Sequence, residues 1–248
     1  MSNYETFYQL HHQQKPFIIA NAWNVKSAQV IENSGFEAVA TSSGAIANSL
    51  GYEDGEKIPF SELLYIIKRI KSCINIPLSV DFERGYTNDL DQLNGNIQQL
   101  IDAGVVGINI EDAQGEDIYL KKLTSIKNYL TKSNQQLFIN ARTDAFLQKL
   151  DEPLDKTLKR AALYANAGAD GLFVTGVQDT DIINEITSTV KLPVNVVGVP
   201  KLAAVQTLAA CGVKRISMAV FLYRATYNYL EKVAKAVITE QSFAPLHG

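Results

Sequence analysis

Histidine is scarce in this chain. The three present, His11, His12 and His247, all lie in terminal segments. A surface role is expected for each, which argues against a histidine-based triad and a His-ligated zinc. Cysteine is scarcer still. Cys73 and Cys211 are too few for a disulfide framework and too far apart for a zinc site, so both are expected reduced and buried. No stretch approaches 18 apolar residues, and the polar segment 1–14 lacks the apolar core of a signal peptide. A soluble, cytoplasmic protein with no membrane partner is expected. Long runs of one charge are also missing. With 23 basic and 26 acidic residues the formal net charge is −3, and the lysines are scattered. No basic face offers itself to nucleic acid. No G-x-G-x-x-G follows the first apolar run, which weakens a dinucleotide-binding reading. No proline-rich or low-complexity linker divides the chain.

What is present is a regular alternation. Hydrophobic residues make up 46% of the 248, enough for a sizeable core. Short apolar runs at 17–22, 37–42, 77–81, 106–111, 137–142, 171–175, 194–198 and 215–219 read as eight strands covered on both faces. Amphipathic segments separate them. The pattern at 61–70 has helical spacing with Ser61 as N-cap, and the patterns at 90–103 and 158–167 each stop at a glycine, Gly104 and Gly168. Asp102-Ala-Gly-Val-Val-Gly-Ile and Asn166-Ala-Gly-Ala-Asp-Gly-Leu repeat one device, a glycine stop followed by a strand. About eight βα units predict a (β/α)₈ barrel, with an open doubly wound sheet as the alternative. The expected organisation is a single barrel domain over 1–248, with 1–14 as an N-terminal extension and 221–240 as the last helix.

In a barrel, the C-terminal ends of the strands form the active-site mouth. Those ends carry Asn21, Ser42 and Ser43, Asp81 and Glu83, Glu111 and Asp112, Arg142 and Asp144, Thr175, and residues 195–198, beginning with Asn195. Several carboxylates a few ångströms apart do not ionise comfortably without a cation between them. Oxygen-only ligation points to Mg²⁺ or Mn²⁺. Arg142 has the planar fork to pair with a carboxylate or clamp one on a substrate. The turn Ser42-Ser43-Gly44-Ala45 offers hydroxyls and N–H groups to an anion. Taken singly each feature has a bland reading: a solvated Asp-x-Glu pair, a Ser-Ser-Gly turn, a structural arginine. Together they fit a small, multiply charged, oxygen-rich ligand. Trp23, Tyr86 and Phe146 adjoin these positions and are expected to pack the core or wall a pocket.

The motifs Asn21-Ala-Trp-Asn-Val-Lys-Ser-Ala, Gly35-Phe-Glu-Ala-Val-Ala-Thr-Ser-Ser-Gly, Leu50-Gly-Tyr-Glu-Asp-Gly, Val80-Asp-Phe-Glu-Arg-Gly-Tyr, Gly107-Ile-Asn-Ile-Glu-Asp and Asn140-Ala-Arg-Thr-Asp-Ala occur in that order. In this they resemble the isocitrate lyase / phosphoenolpyruvate mutase superfamily, over roughly residues 15–230. The resemblance implies a Mg²⁺-dependent barrel acting on C–C or P–C bonds next to a 2-oxo acid. It implies Asp81 as the direct metal ligand, with Asp54, Glu83 and Glu111 acting through metal-bound water. It implies Ser42, Ser43 and Gly44 as holders of the oxo-acid carboxylate, and Arg142 as the strand-five arginine. Arg142, Asp54 and Glu111 are the expected catalytic set; Ser42, Ser43, Gly44, Arg142, Asn195 and Thr175 are the expected substrate contacts. Exchange of a last helix in such proteins suggests a homodimer or homotetramer.

One departure matters. Isocitrate and methylisocitrate lyases carry a Lys-Lys-Cys-Gly-His loop after the strand-four glutamate, whereas here the segment is Asp112-Ala-Gln-Gly-Glu-Asp-Ile-Tyr-Leu-Lys-Lys-Leu. It has no cysteine and no histidine, which argues against isocitrate and methylisocitrate lyase activity. The expected reaction is Mg²⁺-assisted cleavage of a C–C bond in a 2-oxo dicarboxylate, such as oxaloacetate decarboxylation. The alternatives are P–C chemistry, as a phosphonopyruvate hydrolase or mutase, and a non-catalytic 2-oxo acid binding protein.

Overall fold

Eight parallel strands close on one another in chain order, and helices fill the connections between them. The computed structural model describes residues 1–247. The strands are β1 (Phe17–Ala22), β2 (Val39–Thr41), β3 (Leu78–Asp81), β4 (Gly107–Glu111), β5 (Phe138–Thr143), β6 (Gly171–Val174), β7 (Val194–Val197) and β8 (Arg215–Ser217). The helices are α1 (Asn3–His12), α2 (Val25–Asn33), α3 (Ser43–Ser49), α4 (Phe60–Lys71), α5 (Leu90–Asp102), α6 (Glu116–Ser133), α7 (Pro153–Asn166), α8 (Thr180–Thr189), α9 (Val205–Ala210) and α10 (Phe221–Glu240). The closed barrel agrees with the sequence expectation, and the open sheet is excluded because β1 pairs with β8, Phe17 opposite Arg215.

The outer core lies between the strands and the helices, because each helix presents one apolar stripe. α4 buries Leu63, Leu64, Ile67 and Ile70, and α5 buries Leu93, Ile97 and Leu100. Each such side chain contributes about 1.5–3 kcal/mol relative to exposure. An inner cluster of Phe7, Leu10, Phe17, Ile19, Ala38, Ala40, Val106 and Phe138 fills the bottom of the barrel. Phe7 comes from α1, so the segment expected as an extension seals the end opposite the mouth. Gly107 makes this possible: a Cβ there would lie 2.6 Å from Phe7 Cε1. Among the described residues, no helix is long and apolar enough to cross a membrane.

The structure corrects several local expectations. His11 is buried, 1% exposed, although His12 and His247 are exposed as expected. The reason is α1: Phe7 and His11 are four residues apart and share its inward face, where the His11 ring stacks on Phe138 at 3.9 Å. Its Nδ1 lies 2.8 Å from the Phe7 carbonyl oxygen. Ser61 is not the N-cap of α4. The helix begins at Phe60 with Pro59 in the cap position, and no side chain caps it. The helix expected at 158–167 starts at Pro153, whose fixed φ suits a first turn. The two cysteines are free but half-buried rather than buried, since Cys73 follows the end of α4 and Cys211 caps α9 near the surface.

Candidate active site

The strand ends open onto a cavity of about 920 Å³. Of the expected residues, Asn21, Ser42, Ser43, Gly44, Asp54, Asp81, Arg142 and Thr175 line it, whereas Glu83, Glu111 and Asn195 do not. Asn195 lies one register step below the mouth, where its side-chain oxygen accepts the Ser217 hydroxyl at 3.1 Å. Glu111 adjoins the cavity through Arg142, whose Nη1 lies 2.9 Å from it.

Asp81 ends β3. Its backbone N–H donates to the Thr41 hydroxyl at 3.0 Å, tying the end of β3 to β2. Carboxylate oxygen Oδ2 accepts the Ser43 hydroxyl at 2.8 Å and the Ser43 N–H at 3.2 Å. Ser43 is therefore committed to Asp81, and the segment 42–45 is the first turn of α3, with the Ser42 hydroxyl capping Ala45 N–H at 3.3 Å. Among the described residues no donor bonds to Oδ1. Burial raises the Asp81 pKa, and Asp54 raises it further; Arg142 and Ser43 pull it back.

Asp54 reaches the cavity from the loop between α3 and α4. A Cβ on Gly44 would meet its Oδ2 at 2.8 Å, so this approach requires glycine there. The loop is pinned from the far side. Glu56 accepts the backbone N–H groups of Arg84 and Tyr86 at 2.9 and 2.8 Å, and Arg84 donates to the Gly55 carbonyl at 2.8 Å.

Arg142, near the end of β5, is held on three sides. Its Nε and Nη2 donate to the two oxygens of Asp144 at 2.7 and 2.9 Å, and Nη1 lies 2.9 Å from Glu111. Burial opposes its charge, but Glu111 and Asp144 more than offset burial and its pKa rises. Three of the five guanidinium N–H groups are thus occupied, which leaves two for a ligand. Burial pushes Glu111 up to about 7 despite Arg142, with Asp81 and Asp144 adding to the rise. Glu83, on a residue with φ of 47°, is pushed up to about 8 by burial and by Asp81, and accepts the Tyr86 hydroxyl at 3.0 Å.

Behind Arg142, polar strand ends join residues of α7 in a second set. Thr175 donates to Asp144 at 2.5 Å. Asp112 accepts the Asp144 N–H at 3.2 Å, the Arg160 guanidinium at 2.8 Å and the Tyr164 hydroxyl at 2.6 Å. Asp112 and Asp144 were visible as polar strand ends, but the contacts from α7 had no sequence signal. Asn109 also lines the cavity; it lies two residues before Glu111 on β4, so strand alternation places it on the same face. Tyr223 and Arg224 reach the cavity rim from α10.

Among the described residues no three His, Cys, Asp or Glu side chains form a ready metal cage. The donor set nevertheless fits a hard divalent cation that keeps most of its waters. Asp81 presents one oxygen free of protein donors, and Asp54 shares its cavity.

Comparison with known proteins bears on the family and the fold. A relative from Mycobacterium tuberculosis (strain ATCC 25618 / H37Rv), uncharacterized protein Rv1998c, is 34% identical over 94% of this chain and 88% of its own. The oxaloacetate decarboxylase of Pseudomonas fluorescens (strain SBW25) is 29% identical over 85% of this chain and 78% of its own. A crystal structure from Burkholderia cenocepacia J2315, provisionally described as a phosphonomutase, superposes with a TM-score of 0.89 at 34% identity, over 94% of this chain and 99% of the other. The phosphoenolpyruvate phosphomutase family model matches residues 7–238, and the chain belongs to that family.

Proposed function

We propose that this chain is a Mg²⁺-dependent lyase, able to use Mn²⁺, that breaks a carbon–carbon bond next to a 2-oxo acid, with oxaloacetate decarboxylation as the reference reaction. The observation that carries this reading is the shared cavity: a guanidinium fixed by two carboxylates faces the same space as a buried carboxylate with a free oxygen. Asp81, with Asp54, Glu83 and Glu111 through water, would hold the divalent cation, which would supply Lewis acidity to the site.

The chain's own residues do the rest. Arg142 turns its two remaining N–H groups toward the oxygen that gains charge. When the C3–C4 bond of oxaloacetate breaks, carbon dioxide leaves, the electron pair enters the enolate of pyruvate, and C3 then takes a proton from water. Because Asp144 and Glu111 already hold the guanidinium, little reorganisation is needed at that moment. Ser42 and Gly44 border the carboxylate end, while Leu147, Phe173 and Val197 give the cavity an apolar wall that limits water. The connection from β4 to α6, residues 112–115, is short and carries neither cysteine nor histidine. Decarboxylation suits such a site because it requires no acid or base from that loop. The relative named as an oxaloacetate decarboxylase supports the choice of reference substrate.

Steady-state assays of oxaloacetate and other 2-oxo acids, with Mg²⁺ and with chelator, test the proposal. Pyruvate release well above the metal-only background is expected, and no turnover above it rejects the lyase reading. Phosphorus NMR on phosphonopyruvate in parallel assigns P–C chemistry if only that substrate turns over. Tight oxalate binding with no turnover of any substrate assigns a binding protein. The same reading includes a homodimer or homotetramer. Its support is α10, in which no residue is buried and Tyr229 and Leu230 are exposed; light scattering reads the mass.

A further inference from the structure

Beneath the cavity floor lies a charge that the proposed chemistry does not use. Arg215, on β8, is 0% exposed and heads the largest fully buried side chains. Its register neighbours are Phe17 on β1 and Asn195 on β7. Nε donates to the Ser217 hydroxyl at 3.2 Å, and Ser217 lines the cavity. Nη1 and Nη2 have no hydrogen-bond partner among the described residues, and no carboxylate lies within ion-pair distance. On the lower side the guanidinium carbon sits 5.9 Å from the centre of the Phe7 ring, which α1 inserts into the barrel.

A buried guanidinium without a counter-charge is costly, and its field is poorly screened in the interior. Arg142 differs in this respect. Glu111 and Asp144 already offset its charge, so that cluster carries no net positive charge. The cavity otherwise presents Asp81, Asp54 and Glu53, with Arg224 at its rim. An oxo-dicarboxylate entering such a site meets repulsion. The carboxylate whose charge bears on Arg215 is Asp81.

We propose that Arg215 is a positioning residue that acts through space, its unpaired positive charge under the cavity floor favouring anionic ligands and restraining the site's affinity for a divalent cation. This inference rests on the Mg²⁺-dependent 2-oxo acid reading above. Its signature is a pair of opposite changes. A structural role would weaken both kinds of ligand together, whereas a charge acting through space moves them apart.

The test compares the full-length protein with Arg215→Met, which retains bulk without charge, and Arg215→Gln, which retains a donor toward Ser217. Circular dichroism and thermal melting check folding of both. Mn²⁺ binding is read from the free-ion electron paramagnetic resonance signal, and oxalate binding by calorimetry with and without Mn²⁺. Removing the charge is expected to tighten Mn²⁺ about tenfold and weaken oxalate about tenfold, alike in both variants, at the effective dielectric of a partly buried site. Parallel loss of both affinities, no change in either, or wild-type behaviour restored by Arg215→Gln overturns the proposal. If the wild-type protein binds no Mn²⁺, the metal reading fails by itself. Arg215 is then judged on oxalate alone: weaker binding in both variants supports the proposal and unchanged binding overturns it.

Discussion

Replacing Asp144 with asparagine preserves the shape of the side chain and removes its charge. In the native site its two oxygens accept from Arg142 Nε at 2.7 Å and Nη2 at 2.9 Å, and one of them also accepts the Thr175 hydroxyl at 2.5 Å. Its side chain is 6% exposed, so water does not replace what is lost. The amide retains one acceptor and turns an N–H₂ group toward the other guanidinium nitrogen. A hydrogen bond to a charged group contributes about 1.5–3 kcal/mol, and the facing donors add to the loss. Glu111 still holds Nη1 at 2.9 Å, so Arg142 keeps its charge state and loses its orientation. Taking about 3 kcal/mol as the loss at the transition state, kcat/KM for the preferred 2-oxo acid falls by roughly two orders of magnitude. The assay is steady-state turnover with saturating Mg²⁺, alongside circular dichroism to confirm the fold. An Asp144→Asn protein within threefold of wild type refutes the claim that this clamp orients the guanidinium. In a double-mutant cycle with Arg142→Lys, the two losses are expected to be far from additive.

Two further outcomes follow from the carboxylates and from Gly44. Burial pushes Glu83 and Glu111 up to about 8 and about 7 from the ordinary glutamate value of 4.5. The folded protein therefore holds protons that the unfolded chain has released, and their contribution is fully present below 4.5 and lost as pH rises through about 7 and then about 8. Metal-free protein should melt lower at pH 8 than at pH 5, the trend should flatten in Glu83→Gln, and Mg²⁺ should raise the melting temperature more at pH 8. A metal-free melting temperature that rises over this range contradicts the assignment. Gly44→Ala places a Cβ 2.8 Å from Asp54 Oδ2 and pushes that carboxylate out of its present position. Mn²⁺ affinity should fall by about tenfold while the melting temperature hardly changes; unchanged affinity removes Asp54 from the proposed metal set.

Much of this architecture was legible in the residues themselves. The apolar runs carry β-branched and small side chains with little polar content. That composition suits strands covered on both faces, and eight of them separated by amphipathic segments have few ways to pack other than a closed barrel. Asp81, Arg142 and their neighbours could be singled out because the barrel collects strand ends at one mouth, whatever the details of packing. Only tertiary structure decided which polar strand ends reach the cavity. Glu111 ended against Arg142, Glu83 accepts the Tyr86 hydroxyl, and Asn195 lies in the layer below. Partners distant in sequence were equally hidden: Arg160 and Tyr164 reach Asp112 from α7, 48 and 52 residues away. The same holds for α1. Its polar sequence reads as a surface segment, yet Phe7 and His11 turn inward because the missing side chain at Gly107 leaves room at the barrel bottom. Local pattern determined the strands, the helices and the chemistry available at the mouth. Contact across the barrel decided which charges are paired, which are buried, and that Arg215 is left without a partner.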